Sequence, residues 1–122
     1  MVLVDTSVWI EHFRAGNADL RGLLLNGEVM CHPFVIGELA CGNLTNRHEL
    51  LALLTELPRT KILDGDEVLA FISRQRLYGL GIGLVDVHLL ASCLLSHAAL
   101  WTLDKNLKVV ASRKKILYDP GI

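Results

Sequence analysis

Short apolar runs alternate along this chain with longer stretches in which apolar residues recur every three to four positions. Val2 to Val4 is an unbroken apolar run halted by Asp5, which predicts a buried parallel strand. Trp9, Ile10 and Phe13 follow at helical spacing up to Gly16, and a further helix is expected from Asp19 to Leu25, stopped by the turn pair Asn26-Gly27. Glu28 to Cys31 forms a second strand candidate. Pro33 then stands where a first helical residue belongs, opening a helix with Val35, Ile36, Leu39 and Ala40 on its inner face.

Asn46 and Glu49 have the spacing of a capping box, and the leucines at 50, 51, 53, 54 and 57 carry a helix to Pro58. Lys61 to Leu63 is a third candidate strand. Asp64 is placed to cap a helix bearing Val68, Leu69, Ile72 and Leu77. Glycines at 79, 81 and 83 precede a helix with Leu89, Leu90, Cys93 and Leu94 inside. Leu100 to Thr102 is a fourth strand, Asp104 caps the next helix, and Ile116 to Tyr118 is a last strand. Strands alternating with helices predict an α/β fold, a three-layer α/β/α sandwich around a mostly parallel sheet of four to five strands. With 122 residues and no internal repeat or linker, residues 1–122 are expected to form one domain.

Composition narrows what this domain can do. Hydrophobic residues make up 52 % of the chain, enough to fill a core and leave apolar surface for a partner. Twelve basic residues balance thirteen acidic ones for a net charge of −1, so no global basic field draws in nucleic acid. Any such binding needs a local patch or cations. Cys31, Cys41 and Cys93 form no CxxC pair and are expected as reduced core residues of a cytoplasmic protein. The N-terminus lacks the basic leader of a signal peptide. The most apolar stretch, Leu84 to Leu103, is interrupted by Asp86, His88, Ser92, Ser96 and His97. A buried helix followed by a strand is therefore expected there, not a membrane span.

The placing of the acids carries the chemistry. Asp5 ends the first strand and Asp104 closely follows the fourth, and open parallel sheets bind ligands outside the carboxyl ends of their strands. Glu38 lies among Val35, Ile36 and Leu39, and Asp86 between Val85 and Val87. A carboxylate in apolar surroundings is costly unless paired, hydrogen-bonded or bound to a cation, and neither has Lys or Arg at helical spacing. Four carboxylates in one pocket would repel one another unless a cation neutralised them. Oxygen ligands favour Mg²⁺ or Mn²⁺ over zinc. Taken singly, an acid placed like Asp104 is more often a helix N-cap than a ligand, Asp86 is also explained as a helix-start acid, and Glu38 as a partly exposed helix residue.

The segments Val-Asp-Thr-Ser-Val-Trp-Ile at 4–10, Glu-Leu at 38–39, Asp-Val-His-Leu-Leu-Ala at 86–91 and Trp-Thr-Leu-Asp-Lys-Asn-Leu at 101–107, in this order, resemble PIN-domain nucleases. In particular they are similar to the VapC toxins of prokaryotic toxin–antitoxin pairs. The resemblance implies that Asp5, Glu38, Asp86 and Asp104 form an acidic quartet holding Mg²⁺ or Mn²⁺. Thr6 or Ser7 would be the small polar residue after the first acid, and Thr102 the hydroxyl that orients the site. The implied activity is hydrolysis of RNA, with one or two ions lowering the pKa of a water that attacks phosphorus in line. The products would carry a 5′-phosphate and a 3′-hydroxyl. Implied partners are an RNA substrate (transfer or ribosomal RNA), a VapB-type antitoxin and a second copy of the chain in a homodimer. The interface material for these would be Trp9, Phe13, Leu44 and the 50–57 leucines.

Two alternatives keep the same fold: a housekeeping PIN nuclease of RNA processing, and a non-catalytic PIN-like binding module. Aspartate-nucleophile phosphatases need a second aspartate two residues after the first, where this chain has Ser7. The basic run Lys105, Lys108, Arg113, Lys114 and Lys115 is either a solvated helix face or a grip on the RNA backbone, with Lys105, Lys108 and Arg113 the candidates. Gly79, Gly81 and Gly83 follow a predicted helix, not a strand, and are expected to be a flexible connection instead of a phosphate loop.

Overall fold

The computed structural model describes residues 1–120. Its central sheet holds three parallel strands, β1 (Val2–Val4), β2 (Val29–Met30) and β3 (Ala99–Trp101), in the order β2-β1-β3. Val2 pairs with Val29 on one side and Ala99 on the other. All three residues of β1 are buried, as the unbroken apolar run requires of a strand covered on both faces. Because β1 is central and its neighbours lie on opposite sides, the topology reverses at its carboxyl end, where α/β sheets leave a crevice.

Among the described residues, seven helices surround the sheet: α1 (Thr6–Ala15), α2 (Ala18–Leu25), α3 (Pro33–Cys41), α4 (Arg47–Glu56), α5 (Gly65–Gln75), α6 (Leu84–Ser96) and α7 (Lys105–Arg113). Helix α3 packs against α1 and α4, while α6 packs against α5 and β3. Leu3, Leu20, Leu39, Leu89, Leu90, Leu100 and Leu107 are among the side chains buried in one hydrophobic cluster. Each contributes about 1.5–3 kcal/mol of transfer free energy. The fold is thus α/β with a parallel sheet flanked by helices. No helix of the described residues is long and apolar enough to cross a membrane.

The sheet is narrower than the four to five strands expected. At its β2 edge the added pairing is a single parallel bridge, Cys31 with Arg59. There Cys31 N–H donates to Pro58 O at 2.8 Å and Thr60 N–H to Cys31 O at 3.2 Å. The expected strand at Lys61 to Leu63 does not form. Lys61 N–H is taken by the Ser96 hydroxyl at 3.0 Å, and Ile62 is exposed. At the β3 edge, Ile116 to Tyr118 also contributes one bridge, Leu100 with Leu117.

Helix starts follow the sequence with one exception. Asp64 and Glu67 form a capping box on α5, the two side chains each accepting the other's backbone N–H at 2.8 and 2.9 Å. The Asn46–Glu49 box does not form, because Asn46 adopts left-handed backbone with φ 54° and its side chain caps nothing. A capping residue needs extended backbone to aim its side chain along the helix. Cys41 is also a correction: Cys31 and Cys93 are buried, but Cys41 is exposed. Phe34, Glu38 and Cys41 line the outer side of α3 at i, i+4 and i+7, opposite its buried Val35 and Leu39.

Candidate active site

The site is assembled where the carboxyl ends of β1 and β3 meet the starts of three helices. Asp5 is 6 % exposed, and its backbone N–H still donates to Trp101 O at 2.8 Å. The sheet therefore fixes its Cα while its side chain caps α1. Asp5 Oδ1 accepts from Thr6 N–H at 2.7 Å. Oδ2 accepts from the Thr102 hydroxyl at 2.7 Å and the Ser7 hydroxyl at 3.0 Å. Those hydroxyls accept in turn, Thr102 from Asp104 N–H and Ser7 from Leu103 N–H, each at 3.0 Å. The backbone after β3 is thereby tied to the first turn of α1.

The remaining acids come from three other helices. Asp104 caps α7, its Oδ1 accepting from Leu107 N–H at 2.8 Å. Asp86 lies in the first turn of α6, where its Oδ2 accepts from Gly83 N–H at 3.2 Å. Glu38 sits toward the end of α3 and its Oε1 accepts from the Thr6 hydroxyl at 2.6 Å. Thr6 therefore links the helix of Asp5 to Glu38. The expectation that Glu38 is an acid in apolar surroundings is overturned, since it occupies the outer side of α3 and is exposed.

Electrostatics connect Asp86 to the other three. Burial pushes its carboxyl above the usual aspartate value, and the Gly83 N–H opposes this. The negative charges of Asp5, Asp104 and Glu38 push it up further. No Lys or Arg pairs with any of the four among the described residues. The positive ends of α1, α6 and α7 instead supply partial compensation. Among the described residues, no three His, Cys, Asp or Glu side chains form a ready-made metal cage. The donor set itself is all oxygen. It suits Mg²⁺, which keeps several waters and takes one or two carboxylates together with substrate phosphate.

The candidate basic residues lie along α7. Lys105, Lys108 and Arg113 are exposed; Lys105 and Lys108 flank its first turn beside Asp104. Arg113 is eight positions beyond Lys105, about 12 Å along the axis. Lys114 is drawn away to Gln75, reaching its Oε1 at 2.7 Å. A groove of about 720 Å³ opens beside Glu38 between α1, α3 and the start of α4, lined by Ile10, Phe13, Arg14, Arg21 and Leu44 among others. An apolar one of about 430 Å³ adjoins it at His12, Phe13 and Leu50, bordered by Trp9, Leu24, Leu53 and Leu57.

Two further polar residues, which no sequence motif marks as part of the site, hold the elements that carry these acids. His32 is fully buried, and its Nδ1 accepts from Phe34 N–H at 3.0 Å, capping α3. Burial foremost, with His88 nearby, brings its imidazole down to about 4. The signal for it was positional, since the residue before a proline at the first helical position is the N-cap. Asn106 donates from Nδ2 to Gly81 O at 3.1 Å; a polar residue two after a cap gave no distinguishing mark.

The PIN domain profile matches residues 2–113. Ribonuclease VapC32 of Mycobacterium tuberculosis, in each of two strains, is 48 % identical over 117 residues, covering 95 % of this chain and 94 % of that protein. Together with the parallel sheet flanked by helices, these matches establish that the chain belongs to the PIN-domain family and is similar to the VapC ribonucleases.

Proposed function

We propose that this chain is a metal-dependent endoribonuclease acting as the toxin of a type II toxin–antitoxin pair. The observation that carries the proposal is the set of carboxylates on Asp5, Glu38, Asp86 and Asp104. They face one another's charge without a lysine or arginine partner among the described residues. Such an arrangement is unfavourable for stability alone and useful for holding a divalent cation. The similarity to a protein named as a ribonuclease and a VapC supports the same reading.

In this proposal Asp5, Glu38, Asp86 and Asp104 hold Mg²⁺, or Mn²⁺ in its place. A bound ion would supply Lewis acidity, lowering the pKa of a water and offsetting charge on the phosphodiester. The chain's own part is positional. Thr102 and Ser7 orient the Asp5 carboxylate, and Thr6 holds Glu38 toward it. Lys105 and Lys108, exposed beside Asp104, would meet the RNA backbone. The two adjoining grooves, with exposed Leu53 and half-buried Phe13 and Leu44, are where an apolar segment of a VapB-type antitoxin would lie. A second copy of the chain is a further proposed partner.

The test is induced expression of the wild type beside Asp5→Asn, with cellular RNA ends mapped. Growth arrest and new 5′-phosphate ends are expected for the wild type only. Loss of partners outside a metal's own ligands typically costs 10- to 100-fold, so removal of a ligand should lower cleavage by at least about 100-fold. Equal growth and identical RNA profiles would remove the toxin role.

A further inference from the structure

The connection between α5 and α6 runs through Gly79 and Gly81, both with left-handed backbone at φ 69° and 74°. Glycines in this region leave a chain soft unless something holds it. Here Asn106 does, its side-chain amide donating to Gly81 O at 3.1 Å. The packing is as close as the hydrogen bond: a Cβ on Gly81 would stand 2.7 Å from Asn106 Nδ2. Two residues past Gly81, the Gly83 N–H holds Asp86 Oδ2. Two residues before Asn106, Asp104 caps α7. One side-chain amide thus joins the backbone that aims Asp86 to the helix that begins at Asp104.

We propose that Asn106 is a positioning residue: by clamping Gly81 to the start of α7, it sets the separation of Asp86 and Asp104 across the mouth of the site. The inference rests on the acidic site proposed above and adds a residue that touches neither ion nor substrate. Asn106 is exposed and packs no core, so its loss should disturb placement more than folding. Leu80 and Ile82, on either side of Gly81, pack against the core, but the Asn106 amide is what ties the Gly81 carbonyl to α7; without it, the distance from Asp86 to Asp104 is less tightly set. Carboxylates whose spacing wanders bind a small, geometrically demanding ion poorly.

The experiment is a double-mutant cycle of Asn106→Ala and Gly81→Ala, read in two ways without RNA. Mn²⁺ affinity is measured by water proton relaxation, and exchange of the amides at 81–83 by hydrogen–deuterium exchange. Each single variant should bind Mn²⁺ roughly tenfold more weakly than the wild type. Exchange in the loop should rise by up to roughly tenfold, as expected for loss of one hydrogen bond. The two changes should be non-additive, because each breaks the same contact; the strain of alanine at Gly81 is common to both backgrounds and cancels. The clamp is overturned if Asn106→Ala leaves loop exchange unchanged, if the effects simply add, or if affinity falls only together with a collapse in melting temperature. Failure of the wild type to bind Mn²⁺ would instead count against the metal site, and amide exchange would then decide the clamp by itself.

Discussion

Asp86 illustrates how one side chain can serve a site at the expense of the fold. Its carboxyl is pushed up by burial and by three neighbouring acids, so in the protein without metal its ionised form is disfavoured. For a carboxyl raised in this way, the folded state binds more protons than the unfolded one just above the ordinary aspartate range. Stability contributed by Asp86 therefore falls as pH rises through its folded pKa. Asp86→Asn removes this charge and retains an oxygen to accept from Gly83 N–H. It should raise the metal-free melting temperature at pH 7 while weakening Mn²⁺ binding, a trade common at functional sites; thermal melts with and without Mn²⁺ check both signs. His32 gives the opposite sign. Its imidazole is lowered from 6.5 to about 4, so its contribution is fully present above about pH 6.5 and is lost as pH falls toward 4. His32→Asn, which can cap α3 without titrating, should flatten that part of the stability profile, as measured by melts between pH 4 and 7.

The elements show which sequence signals were sufficient. A strand buried on both faces has no place for an acid at its end unless something receives it, so Asp5 stood out from its run alone. Asp64 with Glu67 capped α5 as spacing and chemistry demanded, whereas Asn46 with Glu49 had the same spacing and failed on backbone conformation, which spacing does not encode. Lys61 to Leu63 carries strand-like residues, but the Lys61 N–H goes to a serine on α6, a tertiary competitor invisible to a local pattern. Asn106 escapes a local pattern for the same reason, since its partner Gly81 is distant in sequence; His32 does not, because its place before Pro33 marks it as the cap of α3. At this scale a stabilising change also follows. Arg76 ends α5 in left-handed backbone at φ 54°, where a side chain costs about 1–2 kcal/mol. Arg76→Gly relieves this at some entropic cost, and should stabilise the protein by about 0.5–1 kcal/mol; chemical denaturation measures it.

For the whole molecule, charge balance sets how RNA is met. With a net charge of −1, attraction to a polyanion depends on a few placed cations. Each contact to single-stranded phosphate contributes roughly −0.7 to the logarithmic salt slope. The double change Lys105→Glu and Lys108→Glu should therefore flatten the slope by about 1.4 and leave Mn²⁺ binding largely intact, with Arg113→Glu the weaker change because of its distance along α7. Filter binding across a salt series reads this. Asp5 and Asp104 stand out because each follows a strand and begins a helix, and the family was legible from four short segments. Sheet width and the clamp across α7 were not, because they depend on which distant groups take up individual backbone bonds.

The double duty of the acids has a practical corollary. Asp5 and Asp104 begin helices by accepting backbone N–H groups, and Asp86 does so one turn in. Truncating any of them to alanine removes a helix-start acceptor along with a proposed metal ligand, and an inactive protein would then say nothing about which loss was responsible. Only the isosteric amide separates the two, because it preserves the knot that ties each turn shut and discards the charge.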